Sequence, residues 1–286
     1  MNYSEIPLTF AVAGAAMVGV AAIPEAPGEV GVAIVVGGPQ YRAGSHRQFT
    51  LLARRLAAAG VPAFRFDYRG MGDAEGAMRS FEAVSDDIGK SVDAFLEACA
   101  SAGRPLRRVV LWGLCDAASA ILMYLAETDD ERISGIALAN PWARSEAGEA
   151  QTRLKHYYGQ RLLQREFWAK LFTGKLNVIS SLRGVLENAV KARRKPAEAA
   201  APGDFRERMA RGAARFSGET LLLLSGRDYT AKEFIDYARG DPFWAGWLAS
   251  ARVRRVDLPE ADHTFSSAAW RSEVEEATLR WLRRDR

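Results

Sequence analysis

Three residues far apart in the chain, Cys115, Asp228 and His263, are of the types that together perform nucleophilic acyl chemistry. The histidine takes the nucleophile's proton and returns it to the leaving group, while the carboxylate holds the imidazole in the right tautomer and favours its charged form. Cys115 stands in the string Trp112-Gly113-Leu114-Cys115-Asp116-Ala117. That is a G-x-C-x-A variant of the G-x-S-x-G elbow, a strained corner between strand and helix that pushes the reactive atom out over the end of a sheet. Small residues flank such a corner because the helix packs close against the strand it has left. Gly113 meets that need, and Ala117 adds one methyl. For a sulfur nucleophile the thiolate is the reactive form, and a helix N-terminus and a neighbouring imidazolium both favour it. Both are expected at Cys115, which suits thioesters, activated esters, lactones or acyl transfer. The plain alternative is a buried, inert cysteine beside a chance glycine, since cysteine is among the most buried residue types.

These groups act together only if the chain delivers them to one place. Residues 107–112 read as a buried strand and 117–126 as a helix. Residues 220–224, four of them leucine, read as a strand ending in Ser225-Gly226-Arg227-Asp228. Residues 253–258 read as the last strand, followed by Pro259-Glu260-Ala261-Asp262-His263 and a closing helix. Asp262 is the rival acid, but a residue next to His263 rarely points at its ring. Earlier, residues 30–36 read as a central strand that ends in Gly37-Gly38-Pro39-Gln40-Tyr41-Arg42-Ala43-Gly44. The glycines do not have phosphate-cradling spacing. This loop suits an oxyanion donor instead: Pro39 has no N–H, so Gln40 is the candidate, with the backbone N–H of Asp116 as the second donor.

A helix is expected over 45–59, with Phe49, Leu52 and Leu56 on one face and Gly60 as its stop. The strand 61–66 ends in Asp67-Tyr68-Arg69-Gly70-Met71-Gly72-Asp73, where Asp67 and Arg69 read as loop-fixing and the glycines as permitting positive φ. A helix over 81–102 and a strand over 133–139, closed by Asn140-Pro141-Trp142, complete the set. The alternation implies a mostly parallel, doubly wound α/β sheet with ligands at the carboxyl ends of its strands. Tyr41, Arg42, Arg47 and Arg69 lie near that edge. They read either as binding an anionic substrate group, such as a coenzyme A phosphate or a carrier phosphopantetheine, or as loop residues paired with carboxylates. The Asp116 side chain is left between binding substrate and pairing with Arg42, Arg47 or Arg69.

The apolar stretch 6–23 follows Glu5 rather than a basic segment and is broken by Pro7, Gly14 and Gly19. It reads as a hairpin of 8–13 with 17–22, not as a signal peptide or membrane span. Residues 143–216 carry aromatic and basic segments and are too long for a plain loop. They read as a helical lid inserted in a core made of 1–142 and 217–286. His156 lies in this insertion with no second ligand at metal-binding spacing. Among 286 residues, 48% are hydrophobic and 26% charged, with a formal charge of +4. That is ordinary for a soluble protein, and no basic stripe interleaved with aromatics points to nucleic acid. Cys99 and Cys115 form no disulfide framework or metal set, so a reducing, cytoplasmic setting without a bound metal is expected.

The strings GGPQYRAGSHRQF, FRFDYRGMGDAEG, WGLCDAASA, SGRDYTAKEF and ADHTF resemble the alpha/beta hydrolases of the exosortase A system, the first of the two groups so named. The likeness covers nearly the whole chain and is weakest across 197–215. It implies a bacterial protein encoded near exopolysaccharide and exosortase genes. It also implies an alpha/beta-hydrolase fold with an eight-stranded, mostly parallel sheet, and a hydrolase of no established natural substrate. The chain order Cys115, Asp228, His263 is the order of that fold's triad. Cysteine at the elbow is similar to dienelactone hydrolases too, which are shorter and lack such a lid. Three functions are expected from this: a cofactor-independent acyl hydrolase, an acyltransferase that delivers the same acyl group to an amine or hydroxyl, and a non-catalytic binding protein. The expected partner is a small acyl substrate, presented free or as a carrier-protein or coenzyme A thioester. Neither nucleic acid nor stable membrane insertion is expected.

Overall fold

The apolar run near the N-terminus turns back on itself at Ala13 and Gly14, both at positive φ. In the computed structural model, which describes residues 2–38, 40–143 and 204–283, the run forms β1 (Tyr3–Val12) and β2 (Ala15–Pro24). The hairpin is longer than the sequence suggests, because strand pairing carries polar edge residues along with the apolar ones. Among the described residues no helix is long and apolar enough to cross a membrane.

Six further strands follow: β3 (Val30–Val35), β4 (Ala63–Asp67), β5 (Arg108–Leu114), β6 (Ile133–Ala139), β7 (Glu219–Ser225) and β8 (Val253–Leu258). They join the hairpin in one eight-stranded sheet of order β1-β2-β4-β3-β5-β6-β7-β8. β2 is antiparallel to β1 and β4, and every pairing from β4 to β8 is parallel. Parallel strands need helical crossovers, which cover both faces and bury both sets of side chains. β3 and β5 to β7 are accordingly near-continuous apolar runs such as Leu221 to Leu224, all buried.

Among the described residues the crossover helices are α1 (Gln48–Ala58), α2 (Ser85–Ser101), α3 (Asp116–Glu127), α4 (Phe205–Arg215), α5 (Tyr229–Gly240) and α6 (Pro242–Leu248), and α7 (Ala268–Leu282) follows the last strand. The expected helices at 45–59 and 81–102 each begin with a separate 3-10 turn, at Ser45–Arg47 and Phe81–Ala83. At the first of these, His46 and Arg47 take positive φ and break the helix direction. One core lies between the sheet and α2, α3 and α4, around Phe64, Phe95 and Met123; the other lies under α1 and α7, around Phe49, Trp112 and Trp281.

α4 lies within 143–216, where the sequence suggests only a lid. It packs instead on α3 as part of the core, with Met209, Gly212 and Ala213 buried. Gly212 approaches so closely that a Cβ there would stand 1.7 Å from the Leu122 carbonyl oxygen. The rest of the expected lid, His156 included, lies outside the described residues.

Candidate active site

The parallel strands β5, β7 and β8 end on the same edge of the sheet, and each hands a chemically active residue to the loop that follows. Cys115 comes directly after β5 with φ 63 and ψ −123, and α3 starts at the next residue. This is sparsely populated backbone for a side-chain-bearing residue; it costs about 1–3 kcal/mol and persists only where the surroundings impose it. Here they do. The Cys115 N–H donates to the Ala139 carbonyl at 2.9 Å, and its carbonyl accepts from the Ala118 and Trp142 N–H groups. Gly113 is required beneath the corner, since a Cβ would lie 2.7 Å from Ile121 and 2.9 Å from the backbone of Ala117 and Ala118. The added methyl of Ala117 fits, buried in the core.

The two cysteines differ as their settings suggest. Cys99 is fully buried on α2, and burial pushes its thiol up to about 12. Cys115 is partly exposed. Asp228 caps α5, accepting from the Thr230 and Ala231 N–H groups at 3.0 and 3.2 Å. Its Oδ2 also meets Nδ1 of His263 at 2.8 Å. The imidazole is also close enough to the Cys115 side chain for that group to favour its charged form. Burial disfavours the imidazolium, but the interactions with Asp228 and Cys115 outweigh burial and push His263 up to about 10. The rival Asp262 faces its own loop, accepting from the Thr264 and Ser266 N–H groups and from the Ser266 hydroxyl. Those bonds, against burial, hold its carboxyl below the usual range.

A buried amide that the sequence reading passed over ties this edge together. Asn140 follows β6 at φ 45. Its Oδ1 accepts from Ser225 N–H at 2.8 Å, while Nδ2 donates to the Ser225 hydroxyl at 2.9 Å and to the His263 carbonyl at 3.1 Å. Ser225 then donates to the Asp262 carbonyl at 2.8 Å. One side chain thus fastens the end of β7 to the loop that carries His263. Asn is the side-chain-bearing residue best suited to such backbone, so an Asn directly after a strand was the available signal.

The glycine-rich loop after β3 packs on the start of α3, at Asp116 and Ala117. Its Gly38 N–H donates to Asp116 Oδ2 at 2.8 Å. Gln40, the expected donor, uses its side-chain Oε1 to accept from Ser45 N–H at 3.3 Å, and the amide that converges with Asp116 is that of Gly38. The Asp116 side chain therefore pairs with none of the arginines weighed for it.

Two of those arginines have carboxylates of their own. Arg42 donates its backbone N–H to Asp67 at 2.5 Å and its guanidinium to both Asp67 and Asp73. Arg69, buried, makes a two-pronged bond to the fully buried Asp87, both contacts at 2.8 Å. These are the loop-fixing roles. Tyr41 and Arg47 are exposed. Among the described residues no cluster of three or more metal-ligating side chains occurs.

A family model described as the alpha/beta hydrolase family matches residues 32–278. The chain belongs to the alpha/beta hydrolase family. Solved structures agree at the level of fold. An esterase of Pyrococcus furiosus is 13% identical with a TM-score of 0.63, over 99% of this chain and 91% of that one. A dienelactone hydrolase from Anabaena variabilis is 13% identical with a TM-score of 0.61, over 99% of this chain and 98% of that one. An esterase from Thermogutta terrifontis is 21% identical with a TM-score of 0.53, over 98% of each. No protein of curated function matches the sequence. In an alpha/beta hydrolase the elbow nucleophile, the acid after a later strand and the histidine after the last strand share one edge, where this chain carries Cys115, Asp228 and His263.

Proposed function

We propose that this alpha/beta hydrolase is an acyl hydrolase for esters or thioesters that works without a cofactor, with Cys115 as nucleophile, His263 as base and acid, and Asp228 orienting the imidazole. One observation carries the reading: the His263 ring meets the Asp228 carboxylate at 2.8 Å and neighbours the Cys115 side chain, which is only partly buried at the strand ends.

The steps follow from that arrangement. With the thiol proton on His263, the sulfur attacks the acyl carbon, an S–C bond forms, and the carbonyl π pair moves onto oxygen. Backbone N–H groups at the start of α3, that of Asp116 first, face the oxyanion. The tetrahedral intermediate collapses, and the departing alcohol or thiol takes the proton from His263. Water then attacks the acyl-cysteine and gives a proton to His263, and the acid leaves as sulfur regains its electrons. Of the two expected donors, Asp116 N–H keeps its role; Gly38 N–H suits the second better than Gln40, because it already converges on Asp116.

We assign the chain to the exosortase-associated group on the five sequence strings that carry that likeness, and to a cytoplasmic setting because its two cysteines form no disulfide framework. A coenzyme A or carrier-protein thioester remains within the proposal. Its anionic part would meet Tyr41 and Arg47, because Arg42 and Arg69 are held by Asp67, Asp73 and Asp87. The test is a panel of p-nitrophenyl esters, acyl thioesters and lactones against wild type and Cys115→Ser, with and without an amine or hydroxyl acceptor. Thioester turnover is expected to fall about a hundredfold or more in the variant, since His263 must then ionise a much weaker acid. Free acid is the expected product even with acceptor present. Undiminished turnover by Cys115→Ser contradicts the nucleophile, and acylated acceptor as the main product converts the reading to an acyltransferase.

A further inference from the structure

The residue after Cys115 has a side chain as well as an amide, and that side chain packs on the loop after β3. Asp116 Oδ2 takes the Gly38 N–H at 2.8 Å. Its Oδ1 is buried with no hydrogen-bond partner among the described residues. The carboxylate packs directly on the glycine loop: a Cβ on Gly37 would stand 2.1 Å from Oδ1 and 2.8 Å from Ala117 N. The oxyanion of acyl transfer in this fold is held by the amide after the nucleophile together with one from the loop after β3. In this chain a carboxylate already faces both of those elements, one wall being α3 itself and the other Gly38.

We propose that Asp116 is the acid of the oxyanion pocket: ionised, its carboxylate occupies the pocket and shuts out a carbonyl oxygen, and neutral, its O–H completes the pocket by donating to that oxygen. This rests on Cys115 as the nucleophile. As the sulfur bonds to the acyl carbon and the π pair moves to oxygen, the Asp116 O–H turns toward that oxygen and shares its hydrogen without giving it up. The leaving group still takes its proton from His263, so the balance of the reaction is unchanged. A carboxyl group kept neutral beside an oxyanion has ample donor strength for this.

The charged and titratable groups around Asp116 set its state. Burial raises its carboxyl above the usual range, while the Gly38 N–H, the N–H groups of Ala117 and of Asp116 itself, and the His263 charge pull it back, leaving it raised on balance. Tyr68, buried on the loop after β4, feels the Asp116 charge, and burial together with that charge keeps its hydroxyl protonated. Cys115 and His263 are the remaining titratable neighbours that bear on the same edge.

The experiment compares wild type, Asp116→Asn and Asp116→Ala between pH 4.5 and 9. Acylation of Cys115 by p-nitrophenyl acetate is followed by intact mass, and each rate is divided by the thiolate fraction found from iodoacetamide alkylation, a reaction that needs no oxyanion pocket. The wild-type rate per thiolate is expected to fall as pH rises through the Asp116 titration. Asp116→Asn, neutral and able to donate, is expected to be flat, and faster than wild type by about tenfold or more at pH 8. Asp116→Ala vacates the pocket without supplying a donor, and is expected to fall between the two at pH 8. Rates per thiolate that are equal in all three proteins, or a slower Asp116→Asn, overturn the role of Asp116 and leave the nucleophile standing. Failure of all three to acylate while iodoacetamide alkylates Cys115 overturns both.

Discussion

Asp228 does two jobs with one carboxylate. It closes the first turn of α5 by accepting two backbone N–H groups, and it presents Oδ2 to His263. The cap fixes the carboxylate's direction without help from a long side chain, so the imidazole is oriented by a helix rather than by a mobile group. The raised histidine has a measurable consequence. Its value moves from 6.5 toward about 10 on folding, so the charged ring contributes stability that is fully present below about 6.5 and is lost as pH rises through about 10. Urea unfolding of wild type and His263→Gln across that range should show a difference that is largest at its acid end and shrinks steadily toward its alkaline end. A difference that stays constant from pH 6 to 10 would mean that the ring gains no proton affinity from Asp228 and Cys115.

At the scale of elements, the site depends on how close helices come to strands and to each other. α3 reaches β5 over Gly113 and reaches α4 over Gly212. The second contact sets two effects against one another. Helix propensity favours alanine over glycine by about 1 kcal/mol, whereas forcing a methyl into packed backbone costs about 1–3 kcal/mol. With a Cβ only 1.7 Å from the Leu122 carbonyl oxygen, overpacking wins, and Gly212→Ala should lower the urea midpoint. A raised midpoint would mean that α4 does not seat on α3 as described. The same helix shows why the sequence was read only in part. β3, β5, β6 and β7 are legible because strands buried on both faces are apolar throughout. α4 spends Arg206, Glu207, Arg208, Arg211 and Arg215 on solvent and ion pairs, and buries only Met209, Gly212 and Ala213. So narrow and small a stripe does not stand out from the basic segments before it. α6 carried a clearer signal, Asp241 capping Trp244 with Pro242 at the first position.

Across the whole molecule, the order of the sheet turns distance in sequence into proximity. β5, β7 and β8 are parallel neighbours or near neighbours, so residues 115, 228 and 263 arrive at one edge although the chain between them is long. The residues of this edge were legible because their types are chemically unusual: a cysteine at a strand-helix corner, and one of three histidines just past the last strand. The charges near the mouth were not legible in the same way. Whether Arg42 binds substrate or Asp67 depends on a loop path that spacing does not encode, and the same holds for Asp116, whose partner is a backbone amide 78 residues earlier.

If the fold makes Cys115 a nucleophile as proposed, reactivity should separate the two cysteines of the chain. The most direct measurement is peptide mapping after a brief exposure of the folded protein to p-nitrophenyl acetate, with wild type and Cys115→Ala run side by side. The expected result is an acyl group on Cys115, none on the fully buried Cys99, and loss of ester turnover in the variant. An unmodified Cys115 together with undiminished turnover by Cys115→Ala would contradict covalent catalysis by this residue.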